Sequence, residues 1–232
     1  MKRLVLFDID GTLLTAAKTP RRGANRFTTA ISAVFGEEVF YKKGEFIGAM
    51  DRRIVWELVQ RIGIGKKEFL EKFPEIIDTM YENLTKSKKV AEYFPVIDEG
   101  RKLVEMLSTK DDIKLGLMTG NAEKIAWLKL RHAGLDKYFQ FGVFGDEVES
   151  RIDLAKLVLP KTKKHFGKSF DAEQIVIVGD TIYDIRAGRA VGAFTIIVTR
   201  EGHTAKKILE KEKPDLLVET LMDRAVREFF EL

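Results

Sequence analysis

Two rhythms of apolar residues divide the chain. The first is a short unbroken run, Leu4-Val5-Leu6-Phe7, that stops abruptly at Asp8-Ile9-Asp10-Gly11-Thr12. Such a run, cut by a turn signal, predicts a strand buried on both faces of a parallel sheet. From Thr15 to Tyr93 the spacing becomes helical. Phe27, Ile31, Val34 and Phe35 recur at three and four residues, as do Ile54, Leu58, Val59 and Ile62, and then Phe69, Phe73, Ile76, Ile77 and Met80. Between the first two groups, Gly44 to Arg53 forms a glycine-bearing turn with Arg52 and Arg53 at the start of the next helix.

After Pro95 strands and helices alternate. A helix at Glu99–Ser108 leads to a strand at Ile113–Met118 that ends in Thr119-Gly120-Asn121, followed by a helix at Ala122–Ala133. A strand is expected at Phe139–Phe144 and a helix at Arg151–Phe166. The strongest strand signal, Ile175–Val178, ends in Gly179-Asp180, and Asp184 lies one helical turn further on. Strands at Phe194–Val198 and Leu216–Val218 precede a C-terminal helix. Repeated strand–helix units of this length predict an α/β fold, a Rossmann-like parallel sheet with helices on both faces. Residues 1–14 and 94–232 form this core, and residues 15–93 a small inserted helical domain.

Composition narrows the function. The 232 residues contain no cysteine, which excludes disulfides, thiolate metal sites and a cysteine nucleophile. No stretch approaches the apolar length of a membrane span and no secretory signal is visible, so a cytoplasmic protein is expected. The 40 Lys and Arg alternate with 36 Asp and Glu and form no basic block, which argues against nucleic acid as a partner. The slight positive excess suits a small anionic substrate.

The candidate chemistry gathers at strand ends. Asp8 and Asp10, then Thr119, then Asp180 and Asp184 follow three strands far apart in sequence. If those strands are neighbours, the side chains converge on one rim of the sheet, where open α/β folds bind ligands. Asp180 alone also fits a helix N-cap. Four carboxylates on one rim repel unless a hard cation joins them, and oxygen-only ligands favour Mg²⁺. Mg²⁺, a carboxylate, a hydroxyl and a cationic side chain together suit phosphoryl transfer.

Asp8-Ile9-Asp10-Gly11-Thr12, Thr119 and Gly179-Asp180-Thr181-Ile182-Tyr183-Asp184 resemble motifs one, two and four of the haloacid dehalogenase superfamily, in order and over the whole chain. The helical insert resembles that family's C1 cap, and Gly48-Ala49-Met50-Asp51 is similar to the cap loop of the phosphoglycolate phosphatase-like branch. The resemblance implies that Asp8 attacks phosphorus, forming an aspartyl-phosphate, while Asp10 protonates the leaving oxygen and later activates water. It further implies Mg²⁺ held by Asp8, the Asp10 carbonyl and Asp180, with Asp184 in or beside the shell. Thr119 would bond a phosphoryl oxygen, helped by Gly120 and Asn121, with Gly11, Thr12, Gly48 and Arg52 near the substrate. The second aspartate favours a phosphatase over a dehalogenase, which has no leaving alkoxide to protonate.

Motif three departs from the family's usual lysine, since Arg151-Ile152-Asp153-Leu154 stands in its place. Arg151 keeps the charge and offers a planar fork, and Lys156 and Lys161 are its substitutes. His132, His165 and His203 are expected in structural roles. A phosphomonoesterase acting on a small metabolite, phosphoglycolate among the candidates, is the expected activity. A β-phosphoglucomutase-like sugar-phosphate mutase is the alternative within the enzymes, and a non-catalytic phosphate-binding protein the alternative outside them. Arg21, Arg22, Arg52 and Arg53 do not separate a carboxylate from a second phosphate or a sugar hydroxyl, and the oligomeric state is not legible.

Overall fold

The computed structural model describes residues 3–15, 26–42, 44–87, 89–167 and 169–232. Arg21 and Arg22 lie outside the described residues. The chain enters as β1 (Arg3–Phe7) and then forms α1 (Arg26–Phe35), α2 (Asp51–Gln60), α3 (Lys66–Ser87) and a single turn, α4 (Val90–Tyr93). There follow α5 (Asp98–Ser108), β2 (Ile113–Thr119), α6 (Glu123–Ala133), β3 (Gly142–Phe144), α7 (Arg151–Phe166) and β4 (Ile175–Gly179). The chain closes with α8 (Ile182–Val191), β5 (Phe194–Val198), α9 (Lys206–Glu212), β6 (Leu216–Val218) and α10 (Arg224–Phe230).

All six strands pair in parallel, in the order β3-β2-β1-β4-β5-β6. The chain winds from β1 out to β3, then returns to the other side of β1 with β4. The reversal puts a topological switch point between β1 and β4, where ligand crevices form in such sheets. Leu4 and Leu6 face one apolar layer with Met118, Val143 and Ile177, and Val5 and Phe7 face the other with Leu117 and Val178. Burial on both faces is why the strands are continuously apolar.

The expected α/β sheet and its helical insert are both present. α1, α2 and α3 share one apolar cluster with Ala122, Ile125 and Leu128 at the start of α6, so the insert packs onto the sheet's carboxyl edge through that helix. One detail differs from the sequence reading. β3 is only three residues long, because the Phe139 N–H closes a turn onto the Asp136 carbonyl (3.1 Å) and its ring packs edge-on against Phe7. α3 runs unbroken through Pro74. The cost of an interior proline, lost backbone bond and ring clash together about 3 kcal/mol, is outweighed by burial of Phe69, Phe73, Ile76, Ile77, Met80 and Leu84 along one stripe. Among the described residues no helix is long and apolar enough to cross a membrane.

Candidate active site

The Asp8 N–H still bonds to the Val178 carbonyl at 2.9 Å, so its side chain leaves the sheet at the rim between β2 and β4. Gly11 then turns the chain at φ +85°, and a Cβ there would collide with the Asp180 carboxylate. Only glycine permits both the left-handed backbone and that approach. The rim carries two separate polar clusters.

The first is buried. Asp8, Asp180 and Asp184 each offer one oxygen within 4.8 Å of the others. Arg151 is the first residue of α7, a helix capped by the Ser150 hydroxyl, which accepts from the Asp153 N–H (3.1 Å). Its Nη2 donates to Asp8 Oδ2 (2.5 Å) and to Asp184 Oδ1 (2.8 Å), and its Nε also donates to Asp184 Oδ1 (3.1 Å). Asp184 Oδ2 accepts from the Thr181 N–H (3.1 Å) and hydroxyl (2.6 Å), so Thr181 caps α8 and Asp180 is free of that task. His203 Nδ1 lies 2.6 Å from Asp180 Oδ2. Asp180 Oδ1 is buried and has no hydrogen-bond partner among the described residues.

Burial pushes the Asp8 carboxyl up to about 7 against the pull of Arg151, with Asp184, Asp180 and Asp10 adding to the rise. Burial likewise raises Asp180, although the His203 hydrogen bond opposes it. Arg151 stays charged, because Asp184 and Asp8 outweigh its own desolvation. Three crowded carboxylates, one with an orphaned oxygen, form an all-oxygen donor set that fits a hard divalent cation such as Mg²⁺.

The second cluster surrounds Asp10, whose side chain is 39% exposed. Lys129 Nζ, fully buried, donates to Asp10 Oδ1 (2.8 Å) and Oδ2 (2.7 Å) and to Asn121 Oδ1 (2.6 Å). Asn121 Nδ2 donates to Asp10 Oδ2 (2.8 Å) and to Thr119 Oγ1 (3.0 Å). The Phe94 ring covers the ammonium at 4.3 Å. Burial alone raises the Asp10 carboxyl, but the charges of Lys129 and Arg26 and the hydrogen bonds from Lys129 and Asn121 bring it down to about 2.

Asp8, Asp10, Gly120, Asn121 and Arg151 open into a cavity of about 250 Å³, roofed by Arg26, Phe27, Tyr41, Phe46, Ile47 and Gly48 from the insert. Gly48 bends there at φ +70°. Arg26 Nη2 pairs with Asp51 Oδ1 (2.9 Å), whose other oxygen accepts the Ala122 N–H (2.9 Å). The Asp51 N–H in turn bonds to the Gly120 carbonyl (2.7 Å), so the insert is tied to the loop after β2.

The expected residues divide accordingly. Asp8, Asp10, Gly48, Gly120, Asn121 and Arg151 meet at the cavity, while Thr119, Asp180 and Asp184 sit buried behind it and Gly11 and Thr12 form the turn beside it. Arg52 is not brought there; it donates to the Asp146 carbonyl (3.0 Å) and lies over Phe73 at 5.4 Å. Arg53 pairs with Glu57 on the surface. Lys156 and Lys161 bond to Asp153 and Glu147. His132 and His165 stay with helical neighbours, but His203 reaches the cavity, contrary to its expected structural role, because the loop after β5 folds back over the rim. Lys129 and Arg26 carried no motif, and Asp51 was read only as the last residue of the cap loop. The one available signal was Lys129 itself, a cation four residues after Ile125 on a buried helix face.

Residues 2–192 match the family model of the haloacid dehalogenase-like hydrolases. The chain belongs to that family. A phosphoglycolate phosphatase of Nitrosococcus oceani is 23% identical over 223 residues, covering 95% of this chain and 93% of the relative. A pyrophosphatase PpaX of Listeria innocua is 25% identical over 227 residues, covering 94% and 93%. The crystal structure of a predicted phosphatase from Clostridium acetobutylicum superposes with a TM-score of 0.68 at 20% identity, over the full length of both chains. This haloacid dehalogenase-like hydrolase thus shares its fold with that structure.

Proposed function

We propose that the protein is a Mg²⁺-dependent phosphomonoesterase for small anionic metabolites that works through an aspartyl-phosphate. The observation that carries this reading is the division of labour between Asp8 and Asp10, two residues apart on one rim but held by different cations. Asp8 lies at the cavity beside Arg151, which orients its carboxylate and offers its remaining donors to phosphoryl oxygens. Asp8 attacks phosphorus, the bond to the ester oxygen breaks, and that oxygen takes a proton from Asp10. In the second half, water gives its proton to Asp10 and adds to phosphorus, the bond to Asp8 breaks, and inorganic phosphate forms.

Asp10 is a carboxylate in the free protein, which suits the second half; for the first, the incoming phosphomonoester monoanion carries the proton into the site. Thr119 Oγ1 accepts from Asn121 and keeps its own O–H for a phosphoryl oxygen. Asp8, the Asp10 carbonyl and Asp180, with Asp184 beside them, would hold Mg²⁺. Bound there, the ion neutralises charge on the phosphoryl oxygens and keeps Asp8 ionised.

Residues 15–93 act as the cap, which excludes water and selects the substrate. The roof is largely apolar with Arg26 as its cation, which supports a short substrate bearing a second anionic group. Phosphoglycolate, on which a relative is named to act, is the first substrate to try. The test is phosphate release from an aryl phosphate and a panel of small phosphometabolites. Asp8→Asn and chelation of divalent cations should each reduce release to background, and undiminished activity in either would overturn the mechanism. Sustained turnover without a bisphosphate activator separates the phosphatase from a mutase.

A further inference from the structure

The geometry points to His203 as a positioning residue for the metal site: it clamps one oxygen of Asp180 so that the other is presented to Mg²⁺. This rests on the metal-dependent reading above and adds a residue outside its motifs.

Asp180 is an asymmetric carboxylate. Its Oδ2 lies 2.6 Å from His203 Nδ1, whereas its Oδ1 is buried and without a hydrogen-bond partner among the described residues. An orphaned buried oxygen costs free energy in the metal-free protein unless a cation completes it. The carboxyl group could exchange its two oxygens by rotating about its terminal bond, a broad and soft torsion. A half-turn only swaps two identical oxygens, but any smaller rotation would lose the hydrogen bond to the imidazole, so His203 fixes the plane in which the other oxygen points.

The loop that carries His203 is itself fixed. It leaves β5 at Thr199, whose N–H bonds to the Val218 carbonyl (2.9 Å), and closes a turn through the His203 N–H and the Arg200 carbonyl (3.2 Å). Arg200 Nε donates to the Gly11 carbonyl (2.7 Å), and its Nη2 pairs with Glu99. One loop therefore braces both partners of the close Gly11–Asp180 approach, holding Gly11 by its carbonyl and Asp180 by its carboxylate. His203 is only 27% exposed at its side chain, so the clamp is partly shielded from competing water.

The test is Mg²⁺ binding itself, followed by calorimetric titration and by the Mg²⁺-dependent rise in melting temperature, in alkaline buffer where the imidazole is neutral. Loss of an outer partner of a metal-ligating carboxylate typically weakens metal affinity by about 10–100-fold. His203→Ala should fall in that range while still unfolding cooperatively without metal, lowered only by the loss of the hydrogen bond to Asp180. His203→Asn, whose side-chain amide places a donor near Nδ1, should recover most of the affinity. Unchanged affinity in His203→Ala, or an Asn variant as weak as the Ala variant, overturns the proposal. If His203→Ala does not fold, His203→Leu against His203→Asn makes the same comparison. A wild-type protein that binds no Mg²⁺ would instead overturn the metal-dependent reading, so the two failures are told apart.

Discussion

The two polar clusters at the rim of the sheet contain the same side chain in opposite states. Asp8 is buried and pushed up to about 7, whereas Asp10, half-exposed two residues on, is drawn down to about 2. Both carboxylates have a buried cation within hydrogen-bond reach. The difference is what each cation must serve: Arg151 is shared between Asp8 and Asp184 in a crowded, dry cluster, while Lys129 turns wholly toward Asp10 and its neighbour Asn121. Desolvation wins at Asp8, which shares its base with Asp184 in a buried cluster, and the ion pair wins at Asp10, which has Lys129 beside it and a partly open side chain. Two aspartates that titrate apart are suited to two tasks.

The sharpest way to break this comparison is to remove each carboxylate in turn. Asp8→Asn should leave only background turnover on every ester. Asp10→Asn should cost roughly 10²–10⁴-fold on an alkyl phosphate, the usual scale of general acid–base catalysis, and clearly less on an activated aryl phosphate whose leaving group needs no proton. Steady-state rates on both esters would collapse the distinction if the two variants responded alike.

Removing the cations follows. Arg151→Met leaves Asp8 and Asp184 buried without their partner and should cost about 3–5 kcal/mol in denaturant unfolding of the metal-free protein. Its cost should grow as pH rises and Asp8 is forced to ionise. Lys129→Met should cost less, about 1–3 kcal/mol, because Asp10 is open enough to be hydrated. An equal cost would mean that the two clusters are equivalent.

The smallest effect lies in the acid limb of stability. Asp10 titrates at about 2 in the folded chain against 3.8 unfolded, so its contribution is present above pH 3.8 and is lost as pH falls toward 2. Discounted for solvent screening of a side chain more than a third exposed, this is about 1 kcal/mol, and Lys129→Met should flatten it. Asp8 acts in the other direction. Its folded value lies above its unfolded one, so the metal-free protein loses stability as pH rises from 3.8 toward 7. Unfolding measured across both windows checks the two signs.

Much of this site was legible because its parts are local. Asp8-Ile9-Asp10-Gly11-Thr12 announces a strand end, a sharp turn and two acids within five residues, and Gly179-Asp180 with Thr181 and Asp184 announces a strand end and a helix cap. Arg151 was legible from standing where the family's motif-three lysine heads the helix before motif four. His203 was read as structural and Arg52 as facing the substrate; the loop after β5 folds back over the rim, and the Arg52 side chain is taken by the Asp146 carbonyl and the Phe73 ring, neither of which position in sequence announces.

The alternating strands and helices, the helical insert and the identity of the acids were determined by the sequence itself, through hydrophobic periodicity and residue chemistry that act over a few residues. Only the tertiary structure decided which cation meets which acid. Lys129 reaches Asp10 across 119 positions and Arg151 reaches Asp8 across 143, and these pairings exist because β1 lies between β2 and β4 in the sheet. The opposite titration of two neighbouring aspartates follows from that, because desolvation and Coulomb attraction depend on what surrounds a group in space.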